Sequence, residues 1–182
     1  MARLDNLSRE QLKPEDQHFF DEITGSRGSV RGPYGVLLHS PDLASRIAHT
    51  GTHVRFNFGW PEALKETVIL ATAREIDSQY EFTAHARLAR QAGAKESTIK
   101  SLADGTAPDG LSGDEELVVR YTQQLLRDHK ITDATYKAVV DRFGIEDTVN
   151  LTGLIGHYLL VGQILAAFEV ELSPEMAPEL VV

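Results

Sequence analysis

Glu81 and His85 set a carboxylate and an imidazole four residues apart in the run Ser78-Gln79-Tyr80-Glu81-Phe82-Thr83-Ala84-His85. At about 100° per residue, Ser78, Glu81 and His85 share roughly 60° of one helical face. The flanking residues Tyr80, Phe82, Thr83, Ala84, Ala86, Leu88 and Ala89 are small or apolar. Such surroundings raise a carboxyl pKa and let the acid exchange a proton with a neighbouring imidazole. The same spacing also describes a solvent-exposed i,i+4 pair, worth only about 0.2–0.5 kcal/mol. Arg74 joins this face if the helix runs back unbroken, but Asp77-Ser78 reads as a break and a fresh cap.

The composition narrows the chemistry. The chain of 182 residues has no cysteine, so disulfides, thiolate metal sites and a thiol nucleophile are excluded. With 42% hydrophobic and 25% charged residues it can bury an ordinary core. A formal net charge of −9 and the absence of a Lys/Arg cluster argue against nucleic acid and anionic membranes as partners. Met1 to Gln11 is polar and lacks an apolar signal core. The apolar region Leu151 to Phe168 is interrupted by Gly153, Gly156, His157, Gly162 and Gln163, which argues against a membrane span. A cytoplasmic location is expected.

Helix signals recur along the chain. A first helix starts at Lys13 or Pro14, and Gly25 is expected to end it, leaving Gly25 to Gly32 as a flexible link. Pro33 to Leu38 predicts a helical turn. Ser40-Pro41-Asp42 opens a helix to about Thr50. Thr52 to Gly59 has no partner strand and reads as helix end plus loop. Pro61 opens a helix with apolar residues Leu64, Val68 and Ile69, and Gly93 ends the one that carries Glu81 and His85. A short helix spans Lys95 to Ala103, and Ser112 is expected to cap a longer one. Thr132-Asp133 caps a helix ending at Gly144. The last helix, about Glu146 to Phe168, is apolar nearly all round, which suits a central core position or a subunit interface. The fold class is all-α, a helical bundle.

The segment Arg74 to Gly93 resembles the central motif of the carboxymuconolactone decarboxylase-like superfamily, which includes the alkylhydroperoxidase D-like proteins. Gly32-Pro33-Tyr34, His39-Ser40-Pro41-Asp42-Leu43 and Gly153 to Leu160 extend the resemblance, which spans about Gly32 to Leu172. The expected organisation is an N-terminal helix and link (1–31), a helical domain (32–172) and a tail (173–182). The resemblance implies an alkylhydroperoxidase D-like bundle and a homo-oligomer, a dimer, trimer or hexamer. The peroxidase branch carries Cys-x-x-Cys-x-x-x-His with a glutamate twelve residues before the first cysteine. On this chain those positions are Ser78, Glu81, His85 and Glu66. Without sulfur, dithiol peroxidase chemistry is unavailable.

Glu66, Glu81 and His85 then remain as a proton-transfer set, the expected catalytic residues of a decarboxylase-like lyase in aromatic compound catabolism. No cofactor is expected. In that scheme a small carboxylated lactone or conjugated acid loses CO2, and Glu81 or His85 protonates the resulting dienolate. Glu66 sets the protonation state of His85. Tyr80 donates to the oxyanion, and Arg55 or Arg74 holds a carboxylate. Ser78 and His157 complete the expected substrate-binding set, although His157 also fits a core position. Lactone hydrolysis or isomerisation on the same residues, and a non-catalytic binding protein, stay open. His49 and His53 have the spacing of helical metal ligands, but Gly51 lies between them and no third ligand follows, so no metal site is expected.

Overall fold

The computed structural model describes residues 2–180. Among them the chain forms eight α-helices and no β-strand. These are α1 (Gln17–Arg27), α2 (Pro33–Leu37), α3 (Pro41–Thr52), α4 (Glu62–Glu75), α5 (Gln79–Gln91), α6 (Glu96–Ala103), α7 (Asp114–Gln123) and α8 (Asp133–Ala167). The all-α expectation is met among the described residues.

The centre of the bundle is α4, not the last helix. Every residue from Leu64 to Ala73 is buried. α5, α6, α7 and α8 all pack against it. Its polar residues hide this role in the sequence, and each finds an internal partner. Thr67 and Thr72 donate to the carbonyls of Ala63 and Val68 one turn back. Lys65 reaches the carbonyls of Arg55 and Phe58. Val68 and Ile69 face Val118, Tyr121, Leu151 and Leu154 on one side. Leu70 and Ala73 face Phe82, Ala86 and Ile99 on the other.

Four local expectations are corrected. α1 runs through Gly25 to Arg27 and is closed by Gly28, at φ 74°, whose N–H bonds the Thr24 carbonyl. The cap of α7 is Gly113, at φ 59°, rather than Ser112. The stretch after α3, read as helix end plus loop, holds a π-helical turn, His53–Asn57. The last helix carries apolar side chains at the surface as well as in the core: Ile145, Val149 and Leu160 stand 68%, 65% and 41% exposed. The expected stop at Gly144 is present as a kink within α8, with φ 86° and ψ 170°.

α8 is long and apolar enough to cross a membrane by length and composition, but 44% of its apolar window is buried within the bundle. Both ends of the described residues lie on the bundle. Arg3 N–H bonds the Phe168 carbonyl, and the Gln79 side-chain amide donates to the Leu180 carbonyl. Leu180 is fully buried. Met1, Val181 and Val182, the last two belonging to the expected tail 173–182, lie outside the described residues.

Candidate active site

α4 and α5 form a tight hairpin, and its corner sets the site. Asp77 takes a left-handed conformation at φ 50°, the Ser78 N–H bonds back to the Ala73 carbonyl at 2.8 Å, and α5 restarts from Ser78. This is a helix-ending motif with Asp where Gly is usual. It folds α5 against α4 so that Glu66, Glu81 and His85 converge.

Glu66 Oε2 accepts from His85 Nδ1 at 2.6 Å, and Glu81 Oε2 lies 3.3 Å from His85 Nε2. All three residues are buried. With a carboxylate at each ring nitrogen, only the imidazolium can donate to both. Burial disfavours that charge, but Glu66, and then Glu81, favour it by more, so the His85 pKa is raised. The Arg55 guanidinium, 3.5 Å from Glu66 Oε1, offsets the second negative charge. The tyrosine ring of Tyr158 stands edge-on to His85, 4.9 Å between centroids, and fixes its plane.

Arg55 comes from the π-helical turn, whose extra residue turns its side chain inward while Val54 stays in the core. The buried Lys65 ammonium holds that turn. It binds the Arg55 and Phe58 carbonyls and pairs with Glu62 at 2.6 Å.

A cavity of about 530 Å³ opens onto Glu81, His85, Arg55, Tyr80, His157 and Tyr158. His157 is therefore brought to the site, and its pKa is depressed to about 4 by burial and by Arg27 and Arg55, so it is neutral at pH 7. Tyr80 lines the cavity beside Gly32, where a Cβ would fall 2.5 Å from its hydroxyl.

Two expected residues are not brought in. Arg74 ends α4 on another side of the bundle, paired with Asp77 at 2.6 Å and lying beside Gly105. The break at Asp77 turns it off the α5 face. Ser78 lines a neighbouring cavity of about 580 Å³ between the hairpin corner and α8, next to Ile76 and Gly162. Of the two histidines with the spacing of metal ligands, His53 contacts Asn150 Oδ1. Sequence reasoning missed Arg27, Tyr34 and Tyr158. Arg27 and Tyr34 sit in the region read as link and turn, with no spacing that ties them to Glu81.

Residues 41–124, from α3 to the end of α7, match the model of the Carboxymuconolactone decarboxylase family. Two solved structures share the fold across nearly the whole chain. One is an alkylhydroperoxidase AhpD core, an uncharacterized peroxidase-related protein from Ralstonia eutropha, 15% identical with a TM-score of 0.79, covering 96% of this chain and 93% of the other. The second is an uncharacterized peroxidase-related protein from Silicibacter sp., 14% identical with a TM-score of 0.77 and the same coverage. The debrominase Bmp8 is 13% identical with a TM-score of 0.72, covering 93% of this chain and 91% of its own. No curated protein sequence matches. The chain thus resembles the Carboxymuconolactone decarboxylase family over residues 41–124, shares its helical fold with the alkylhydroperoxidase AhpD core, and has no cysteine.

Proposed function

We propose that this protein is an acid–base lyase of the decarboxylase-like kind, acting on a small conjugated carboxylate or carboxylated lactone. The observation that carries the reading is the buried Glu66–His85–Glu81 chain opening onto a cavity that also receives Arg55. The tight 2.6 Å contact keeps one proton between Glu66 and Nδ1, while the looser 3.3 Å contact leaves the Nε2 proton free to move.

In the proposed step the C–C bond to a substrate carboxylate breaks and CO2 leaves. The electron pair enters the conjugated carbonyl, and the resulting dienolate takes a proton at carbon from His85 Nε2 or from Glu81. The solvent restores that proton. Arg55 orients the departing carboxylate, and Tyr80 donates to the oxyanion. The family match and the debrominase likeness support a catalytic role at the level of the family. Bmp8 is also known as a cysteine-to-alanine variant in complex with 2,3,4-tribromopyrrole. This chain has no cysteine for thiol chemistry, which favours proton transfer instead.

Lactone ring opening or isomerisation would use the same residues. A panel of carboxylated lactones, assayed for CO2 release and for ring opening, separates the reactions. Glu81→Gln and His85→Ala should each lower turnover by about 10²–10⁴ with the fold intact. Wild-type turnover in both variants would overturn the reading, and no turnover of any substrate by the wild type would favour a binding protein. We further propose a cytoplasmic homo-oligomer, a reading supported by the apolar residues exposed on α8.

A further inference from the structure

The stretch after α8 doubles back over the site. Glu169, at φ 51°, turns the chain out of the last helix, and the Val170 N–H bonds the Leu165 carbonyl at 3.0 Å. The chain is fixed again at Glu179 and Leu180. The Leu180 side chain is fully buried in the cluster of Leu70, Phe82 and Ala86. Its carbonyl accepts from the Gln79 side-chain amide at 2.8 Å, and the Glu179 N–H donates to Thr83 Oγ1 at 3.1 Å. Arg90 donates to both oxygens of the Glu179 carboxylate, each at 2.7 Å. Between these anchors the backbone is loosely held. Over residues 172–178 it makes one main-chain hydrogen bond among the described residues, from the Met176 N–H to the Ser173 carbonyl. Pro174 and Pro178 have no N–H to offer.

α5 carries the far anchor and the proton chain on different faces. At about 100° per residue, Gln79, Thr83 and Arg90 share roughly 40° of the helix, and Glu81 and His85 lie on the other side. To pass from α8 to its anchor, the chain has to cross the mouth of the site. There Ser173, Glu175 and Met176 line the cavity that opens onto Glu81 and His85. Ser173, Met176 and Tyr80 also line the neighbouring cavity at the hairpin corner, so these three side chains form the partition between the two.

We infer that residues 170–180 are a strap that gates the cavity, latched on α5 by Leu180 and Glu179. Opening frees Leu180 from its apolar seat, withdraws Ser173 and Met176 from the wall, and joins the two cavities into one entrance. Closing restores the partition beside Tyr80. Local opening of this kind is favoured where main-chain hydrogen bonds are few. The hold rests mainly on Leu180, because the Arg90–Glu179 pair is partly exposed, at 38% and 29%, and such pairs contribute little. The gate controls access whatever reaction the site performs, and it does not depend on the acid–base reading.

The absence of cysteine makes a lone thiol a clean reporter of access. Val161 is 3% exposed and lines the cavity. Val161→Cys is alkylated with iodoacetamide, a small neutral reagent, alone and combined with Leu180→Ala or Glu179→Gln, and the rate is followed by mass spectrometry. The single variant should react about tenfold or more slowly than its urea-unfolded chain. Leu180→Ala should raise the folded rate about tenfold, and Glu179→Gln about twofold. Hydrogen exchange at the α4 amides should stay unchanged, which separates strap opening from loosening of the whole bundle. Glu179→Gln decides the matter if Leu180→Ala disturbs α4. A thiol that reacts as fast folded as unfolded, or a rate that Glu179→Gln and a well-folded Leu180→Ala leave unchanged, would overturn the gate.

Discussion

Glu66 Oε2 meets His85 Nδ1 at 2.6 Å across nineteen residues of sequence, with both side chains buried. A short, dry carboxylate–imidazole contact of this kind holds the ring in one orientation and stabilises its protonated form. Its consequence is a pH dependence with a definite sign. The folded-state pKa of His85 is raised above its unfolded value of about 6.5. The stability it contributes is therefore full below about pH 6.5 and is lost as pH rises through the raised folded value. Glu66→Gln removes the negative charge that most raises the His85 pKa, so this loss moves to lower pH. Titration of the His85 ring by NMR, wild type against variant, measures the shift directly. An unchanged His85 titration would mean that Glu66 does not govern the ring.

His157 predicts the opposite slope. Its folded pKa of about 4 lies below the unfolded value. As pH falls from about 6.5 toward 4, the unfolded chain takes a proton that the native site refuses, and stability falls by about 2 kcal/mol. His157→Gln should flatten this acid-side slope whatever its effect at neutral pH. Urea denaturation at a series of pH values between 4.5 and 7.5 measures the slope in both proteins.

Lys65 ties Arg55 to the site. It is 2% exposed and fills the carbonyls of the π-helical turn. Lys65→Met keeps the stem but leaves two buried acceptors without a donor, at about 1–3 kcal/mol each. The variant should lose about 2–4 kcal/mol in urea unfolding. It should also raise KM more than it lowers kcat, since the loosened turn carries Arg55 rather than the proton chain.

Gly51 has a packing role that a helix interior would not suggest. Alanine is the better helix former, by about 1 kcal/mol. Here the added methyl collides with the Arg27 guanidinium and the His157 ring. Gly51→Ala should therefore destabilise by about 1–3 kcal/mol. A thermal melt of wild type and variant reads the loss.

Val149 lies between Ile145 and Leu160 on the exposed side of α8. If this side is buried between copies of the chain, Val149→Lys places a charge in the interface. Light scattering after size-exclusion chromatography should show the wild type as an oligomer and the variant as a smaller species. A wild-type monomer would remove the oligomer proposal.

Much of the fold is legible because helix ends are local events. Ser40-Pro41-Asp42, Pro61, Asp77-Ser78, Gly93 and Thr132-Asp133 mark their boundaries through backbone chemistry that needs no distant partner. The missed boundaries are those where local rules compete. Gly25 could end a helix, yet Gly28, three residues on, supplies the left-handed cap. The turn at His53–Asn57 depends on Lys65, which no local pattern links to it. α4 was masked as the central helix because its polar residues are satisfied inside the bundle, and satisfaction is a property of neighbours.

The sequence by itself determined the chemistry that is ruled out, since a chain without cysteine cannot cycle a dithiol. It also determined that Glu81 and His85 share a helical face, because that follows from the period of the α-helix. Only the tertiary structure decided which other residues join them. It brought Glu66 to 2.6 Å from the His85 ring and set Arg55 beside Glu66. It turned Arg74 away through one left-handed residue, Asp77, and brought in Arg27 from a helix that sequence reading left outside the domain. Spacing along one helix is fixed by covalent geometry, whereas contact between helices is set by how buried side chains pack, and packing has no period to read.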